Sequence, residues 1–312
     1  MKRWHVGLCS SLLLAAATAG CAGDRFDPFN RVNSLRVLAI RSDPVAPAPG
    51  ESTTLSALLF VPKGQSKPVL TWSWCPFPGV PADGYPCTVD EKLFAGPGGQ
   101  LALPPLELGT GDSVQFEHSI PGELLSTLCA GVADMPELVV CDGGFPVQIK
   151  LHVKTDKDEL VAVRTLRLRT DAMTGANENP VVDGVSAKLD GKWRELGQAS
   201  EATLPRDEPT KLRAAVAEDQ SERYVGRDDY GEQATLRERL RMTWFIESGD
   251  TEFEHTGFID GLTDFDVLLD NSWIPANKED YSRATSQLIL VLRDNRDGVS
   301  WHRVTVGLED RP

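Results

Sequence analysis

Between residues 146 and 155 apolar and polar side chains alternate without a break. Val147, Ile149, Leu151 and Val153 fall on one side of an extended chain, and Gln148, Lys150, His152 and Lys154 on the other. A period of two cannot make a helical stripe, so the segment is a half-buried strand whose apolar face needs a second layer to cover it. Residues 156–159 turn the chain into another extended run, 160–169, and the two read as the closing hairpin of a sandwich.

The same grammar governs most of the chain. Residues 35–41 read as a strand, 43–50 as a Pro-rich turn and 53–61 as a second strand, while 70–75 puts Leu70, Trp72 and Trp74 on one face. A Pro/Gly-rich excursion follows over 76–99, and 121–129 reads as a short helix with Glu123 favourable near its N-terminus. Residues 170–180 lack apolar periodicity and end on Pro180, which places a boundary there. Beyond it Leu212, Ala214 and Val216 alternate, as do Leu240, Met242, Trp244 and Ile246. Residues 288–292 are apolar on both parities, as a central strand is, and pass through 294–298 into a last strand over 299–306. With Gly 27 and Pro 21 to supply turns, the expected fold is all-β: two tandem sandwiches, 35–170 and 181–309, joined by a linker at 171–180 and followed by a tail at 310–312. Thr71-Trp72 and Thr243-Trp244 stand at similar points of the two halves. The densely charged run 219–239 reads as a solvated hairpin loop.

The first twenty residues read as a signal segment, with Lys2 and Arg3 ahead of an apolar stretch from Val6 to Ala19. That stretch is shorter than the ~20 apolar residues needed to span a bilayer. It ends in Thr18-Ala19-Gly20-Cys21, which resembles the lipobox of bacterial lipoproteins, with Thr18 where an aliphatic residue is usual. The resemblance implies cleavage before Cys21, diacylation of its sulfur and, since Ala22 rather than Asp follows, an outer-membrane address. Residues 21–34 then serve as lipidated cysteine and tether. The competing reading cuts after Ala19 and releases a soluble periplasmic or secreted protein. Cysteine parity favours lipidation. With Cys9 removed and Cys21 acylated, Cys75, Cys87, Cys129 and Cys141 remain, an even set for an oxidising compartment.

Three pairings of those four are possible; Cys75 with Cys87 and Cys129 with Cys141 are expected, because each would clip one irregular excursion. Eleven residues separate the cysteines of each pair, where a zinc knuckle has two to four. The run Leu35-Arg36-Val37-Leu38-Ala39-Ile40-Arg41, then Pro47-Ala48-Pro49-Gly50-Glu51, then Trp72-Ser73-Trp74-Cys75, resembles the start of immunoglobulin-like or PKD-like modules of bacterial surface lipoproteins. The resemblance implies a β-sandwich outside the cytoplasm and carries no catalytic residues. The strand over 53–61 has no cysteine, so the inter-sheet disulfide of antibody domains cannot form.

No enzymatic constellation is legible: the sequence has no Gly-x-Ser-x-Gly elbow, no phosphate loop and no Cys-x-x-Cys. Gly111-Asp112-Ser113 reads as a turn into a strand. His118, His152, His255 and His302 are dispersed and read as surface residues, and the oxygen-rich turn over 294–298 lacks the full ligand set of a calcium loop. No cofactor is expected. The formal charge of −14, which falls to −16 once Lys2 and Arg3 leave with the signal, repels nucleic acid and anionic lipid head groups. The expected function is therefore a lipid-anchored, non-catalytic protein displaying a binding or scaffolding surface to an envelope protein partner. A glycan-binding accessory protein is the alternative, and it requires exposed aromatics where Trp72, Trp74 and Trp244 look like core. Thiol titration of the denatured, unreduced protein should find none of Cys75, Cys87, Cys129 and Cys141 free.

Overall fold

A computed structural model of the protein describes residues 27–77, 85–87, 105–131, 141, 144–170, 176–197, 202–228 and 230–310. The chain builds two sandwiches. In the first, β1 (Arg36–Asp43), β2 (Ser52–Phe60) and β5 (Ser113–Glu117) form one sheet. β4 (Glu107–Thr110), β3 (Val69–Cys75), β6 (Phe145–Lys154) and β7 (Glu159–Leu168) form the other, in that order. Helix α1 (Gly122–Gly131) lies between β5 and β6 in the chain, and its Leu125 is fully buried in the core. The alternation in β6 is obeyed on the inner side, where Val147, Ile149, Leu151 and Val153 are all buried. On the outer side Gln148 departs from it and is buried too.

The second sandwich repeats this pairing strand for strand. β8 (Gly184–Leu189), β11 (Thr210–Ala215) and β17 (Asp270–Ile274) pair as β1, β2 and β5 do. Likewise β16 (His255–Phe258), β14 (Leu240–Ile246), β18 (Thr285–Asp294) and β19 (Val299–Glu309) pair as β4, β3, β6 and β7 do. Edge strands β9 (Lys192–Glu195), β15 (Asp250–Thr251) and β10 (Thr203–Pro205) widen both sheets to five strands. Seven strands in this Greek-key order make each half an immunoglobulin-like sandwich.

The repeat gives the two Thr-Trp dipeptides one structural meaning. Trp72 in β3 faces Leu151 across the ladder, and Trp244 in β14 faces Leu290. Both indoles are fully buried, and each satisfies its one donor: Trp72 Nε1 donates to the Gly111 carbonyl at 2.9 Å, and Trp244 Nε1 to Thr256 Oγ1 at 2.9 Å.

A third apolar cluster lies outside both cores. Leu38, Ala39, Leu58 and Phe60 on the outer face of β1 and β2 pack with Phe245, Ile289, Val291 and Val299 on the outer face of β14, β18 and β19. This explains why β18 is apolar on both parities: Leu288, Leu290 and Leu292 fill the second core while Ile289 and Val291 meet the first sandwich. Residues 27–34, expected as tether, are held in the same assembly. The buried Asn30 donates from Nδ2 to the Trp244 carbonyl at 2.8 Å and to Thr251 Oγ1 at 2.6 Å, and the Val32 amide donates to the Ile246 carbonyl at 2.8 Å.

Two faces of one strand therefore serve two different burials, and substitution separates them. Trp244→Ala should cost about 3 to 5 kcal/mol by opening a cavity in the second core. Phe245→Ala, one residue on, should leave that core intact and uncouple the sandwiches, so that calorimetry resolves two melting transitions where the parent shows one.

Candidate functional site

Of the residues singled out from sequence, Cys21 lies outside the described residues. Cys75 is bonded to Cys87 and Cys129 to Cys141, with Cα separations of 5.5 and 5.8 Å. The first bridge closes on the end of β3 and the second on α1, so Cys87 and Cys141 are each tied to an element of the first sandwich. Gly111-Asp112-Ser113 is a turn into β5. His118 departs from the surface position expected of it: it is buried, its Nε2 lies 3.2 Å from the Arg169 carbonyl, and burial holds its pKa below the usual imidazole value.

The oxygen-rich turn over 294–298 uses its carboxylates for structure. Asp294 Oδ1 accepts from the amides of Arg296 and Gly298, each at 2.7 Å, and Oδ2 accepts from Asn177 Nδ2 at 3.1 Å. Asp297 pairs with Arg167 of the first sandwich at 2.9 Å. Among the described residues no cluster of acidic, His or Cys side chains is arranged to hold a metal ion.

A cleft of about 300 Å³ lies where the two sandwiches meet. Arg164 reaches across it, donating to the carbonyls of Ile40 and Asp297. From the opposite side Arg293 Nη2 donates to the Leu38 carbonyl at 2.7 Å, and Arg303 Nη2 donates to the Leu59 carbonyl. Burial pushes the Arg164 guanidinium down to about 10, so it stays charged at neutral pH. These groups are spent on joining the sandwiches.

The charged run 219–239 is only partly the solvated loop expected of it. A two-stranded hairpin, β12 (Arg223–Arg227) with β13 (Gln233–Arg237), projects into solvent, but its base is buried. Glu238 is 1% exposed and accepts from Arg296 Nη1 at 3.0 Å; the Arg296 guanidinium also lies over the Tyr224 ring at 4.6 Å. Burial first, and then the Asp294 carboxylate nearby, push Glu238 up to about 7 despite that arginine.

The open surface with recognition character is the outer face of β15-β17-β11-β8-β9. A cleft of about 430 Å³ there is flanked by Trp193 and Phe253, which are 43% and 52% exposed. Both aromatics are held in place. Arg213 lies over the Trp193 ring at 5.5 Å and is itself fixed by a bidentate pair to Asp270 at 2.6 and 2.7 Å. The backbone of Phe253 is clasped by the Asn271 amide, which accepts from the Phe253 N–H at 3.2 Å and donates to its carbonyl at 2.9 Å. Between the aromatics lie Lys188, Lys211, Glu252 and Ser272. Sequence reasoning missed this face. Its one local signal was Asp190-Gly191, whose positive φ values of 50° and 77° fit a tight hairpin turn that sets Lys188 directly opposite Trp193.

The sequence matches no family model and no curated protein. Among solved structures it is similar to the three N-terminal domains of the outer capsid protein Hoc of bacteriophage RB49, at 10% identity and a TM-score of 0.22. That match covers 88% of this chain, which spans 59% of the Hoc fragment. It is also similar to a chimeric titin Z1Z2 tandem, at 9% identity and a TM-score of 0.27, covering 89% of this chain and 100% of the tandem. A third similarity is to the N-terminal eight immunoglobulin domains of Down Syndrome Cell Adhesion Molecule, at 9% identity and 0.24, covering 90% of this chain and 25% of that one. The fold is defined by the strand order of the two halves.

Glu238 generates a pH dependence with a definite sign. Its folded-state pKa near 7 exceeds the ordinary carboxylate value, so between the two the native state binds the extra proton and stability falls as pH rises. The penalty is absent below about pH 4 and complete above about pH 8, and on the order of 1 to 3 kcal/mol. Glu238→Gln should flatten that slope when melting temperature is followed from pH 4.5 to 8.

Proposed function

We propose that this protein is a lipid-anchored envelope protein that holds a rigid pair of immunoglobulin-like sandwiches outside the cytoplasm as a binding or scaffolding surface, without catalysis. The observation that supports it best is the division of labour among its side chains. The buried charges in and beside the junction are committed to joining and bracing the sandwiches, whereas the held, exposed aromatics lie together on one open sheet face. Preformed aromatic surface beside polar groups suits recognition.

The two disulfides fit an oxidising compartment, and among the described residues no helix is long and apolar enough to cross a membrane. An acyl chain on Cys21 would supply the attachment, at the outer membrane by the resemblance already noted, with an envelope protein as partner. Residues between Cys21 and Asn30 are few, so an anchored sandwich pair would stand close to the lipid surface. The acidic charge fits a surface that avoids nucleic acid.

Replacing Cys21 by Ala tests the anchor. The exported Cys21→Ala protein should leave the membrane fraction for the soluble one, and a protein that still sediments with membranes through alkaline washing would exclude the lipid anchor.

A further inference from the structure

The open face of the second sandwich sets two lysines side by side on neighbouring strands. Lys188 on β8 is the ladder partner of Trp193 on β9, and Lys211 on β11 is the partner of Ser272 on β17. The β8–β11 ladder pairs Ala187 with Leu212, and continuing it by one residue sets Lys188 beside Lys211. On the far side the Glu252 amide donates to the Ser272 carbonyl at 2.9 Å. Trp193, Lys188, Lys211, Ser272 and Glu252 thus form one row across the sheet, roughly 19 Å long at ~4.8 Å per strand.

Two like charges directly opposed on neighbouring strands destabilise a sheet. Neither Lys188 nor Lys211 is in an ion pair among the described residues, although the chain as a whole carries −14. Arg213 beside them is paired with Asp270, so the charged groups left in the cleft are the two ammonium groups, side by side, and the Glu252 carboxylate at the far end of the row. An anionic group seated between them would relieve the repulsion and gain charge-assisted hydrogen bonds.

We infer that this face binds an acidic carbohydrate, with a sugar ring stacked on Trp193 and a carboxylate or sulfate substituent held between Lys188 and Lys211. The rest of the row selects the class. Ser272 and the Glu252 carboxylate suit neutral hydroxyl groups, which a sugar chain offers at every residue, whereas Glu252 would repel a simple anion or a continuous phosphate backbone. A peptide strand added through its backbone would dock along the free edge of β9 or β15, not across the row of side chains, whose strands are paired on both sides at β8, β11 and β17. Trp193 and Phe253, fixed at opposite edges, suit a ligand with repeated flat apolar surfaces. The inference rests on the extracytoplasmic binding reading and gives its surface a ligand class.

The test is calorimetric titration of the full mature chain in detergent with a tetragalacturonate, a heparin-derived tetrasaccharide and neutral maltotetraose, alongside inorganic sulfate and a thymidine oligonucleotide. At least one acidic saccharide should bind, with an affinity that weakens as salt is raised; the uronate and sulfate arms tell which acid group the lysines prefer. Trp193→Ala should weaken binding about tenfold, and Lys188→Ala with Lys211→Ala about tenfold with most of the salt dependence lost. Because these side chains lie on the open face, neither variant should melt well below the parent, and loss of the opposed lysines should if anything raise the melting temperature, which separates lost binding from lost folding. The inference is overturned if neither acidic saccharide binds, if binding survives both variants, or if maltotetraose, sulfate or the oligonucleotide binds as well as the acidic saccharides. Membrane fractionation of Cys21→Ala does not depend on any sugar, so failure here with release there would remove the ligand class and leave the anchored scaffold standing.

Discussion

Burial of two sheet faces against each other is the constraint on which the rest of the molecule depends. A sandwich needs apolar side chains on the inner faces of its sheets only, and the outer faces are free to be polar. Here β1, β2, β14, β18 and β19 carry apolar residues on both faces, and the second set is covered by the other sandwich together with Phe29 and Val32 of the N-terminal segment. Leaving Leu38, Leu58, Phe60, Phe245 and Ile289 in water would expose a contiguous patch of a size that soluble proteins rarely tolerate. The halves are therefore joined into four stacked sheets, and Arg164, Arg293 and Arg303 bind backbone carbonyls across the joint.

The repeated topology makes the two halves comparable face by face. The outer face of β1-β2-β5 is apolar and covered, while the corresponding face of β8-β11-β17 carries Lys188, Lys211 and Arg213 and is open. One architecture has thus been used in two ways: one copy of this face joins the sandwiches, and the other is open to solvent. The added edge strands sharpen the difference. β9 brings Trp193 to one rim and β15 leads into Phe253 at the other, and neither addition has a counterpart among the described strands of the first sandwich.

The buried carboxylates follow from the same joint. Asp294 is drawn into the last hairpin turn, where two amides and Asn177 satisfy it, and burial first, with that carboxylate second, raises the proton affinity of Glu238 behind Arg296. This cluster braces the base of the β12–β13 hairpin. The run of charges over 219–239 looks uniform in composition, yet Glu238 at 1% exposure and Tyr230 at 91% differ as much as two residues can.

By itself the sequence determined the all-β class, the strands and most inward-facing residues, because period-two alternation and turn chemistry are local signals. Val147 to Val153 on β6 and Leu240 to Ile246 on β14 could be assigned to their inner face from spacing alone. It also carried the even set of cysteines and the N-terminal pattern ending at Cys21. Local signals cannot say which outer face meets another sheet, since that depends on residues as far apart in the chain as Leu38 and Arg293, which are separated by 255 positions. For that reason the both-parity run in β18 read simply as a central strand, the buried His118 and Glu238 read as surface, and 27–34 read as tether. The aromatic row was hidden for the same reason. Trp193 on β9, Lys211 on β11 and Glu252 just past the end of β15 are far apart in sequence, and only the register of a five-stranded sheet brings them into line.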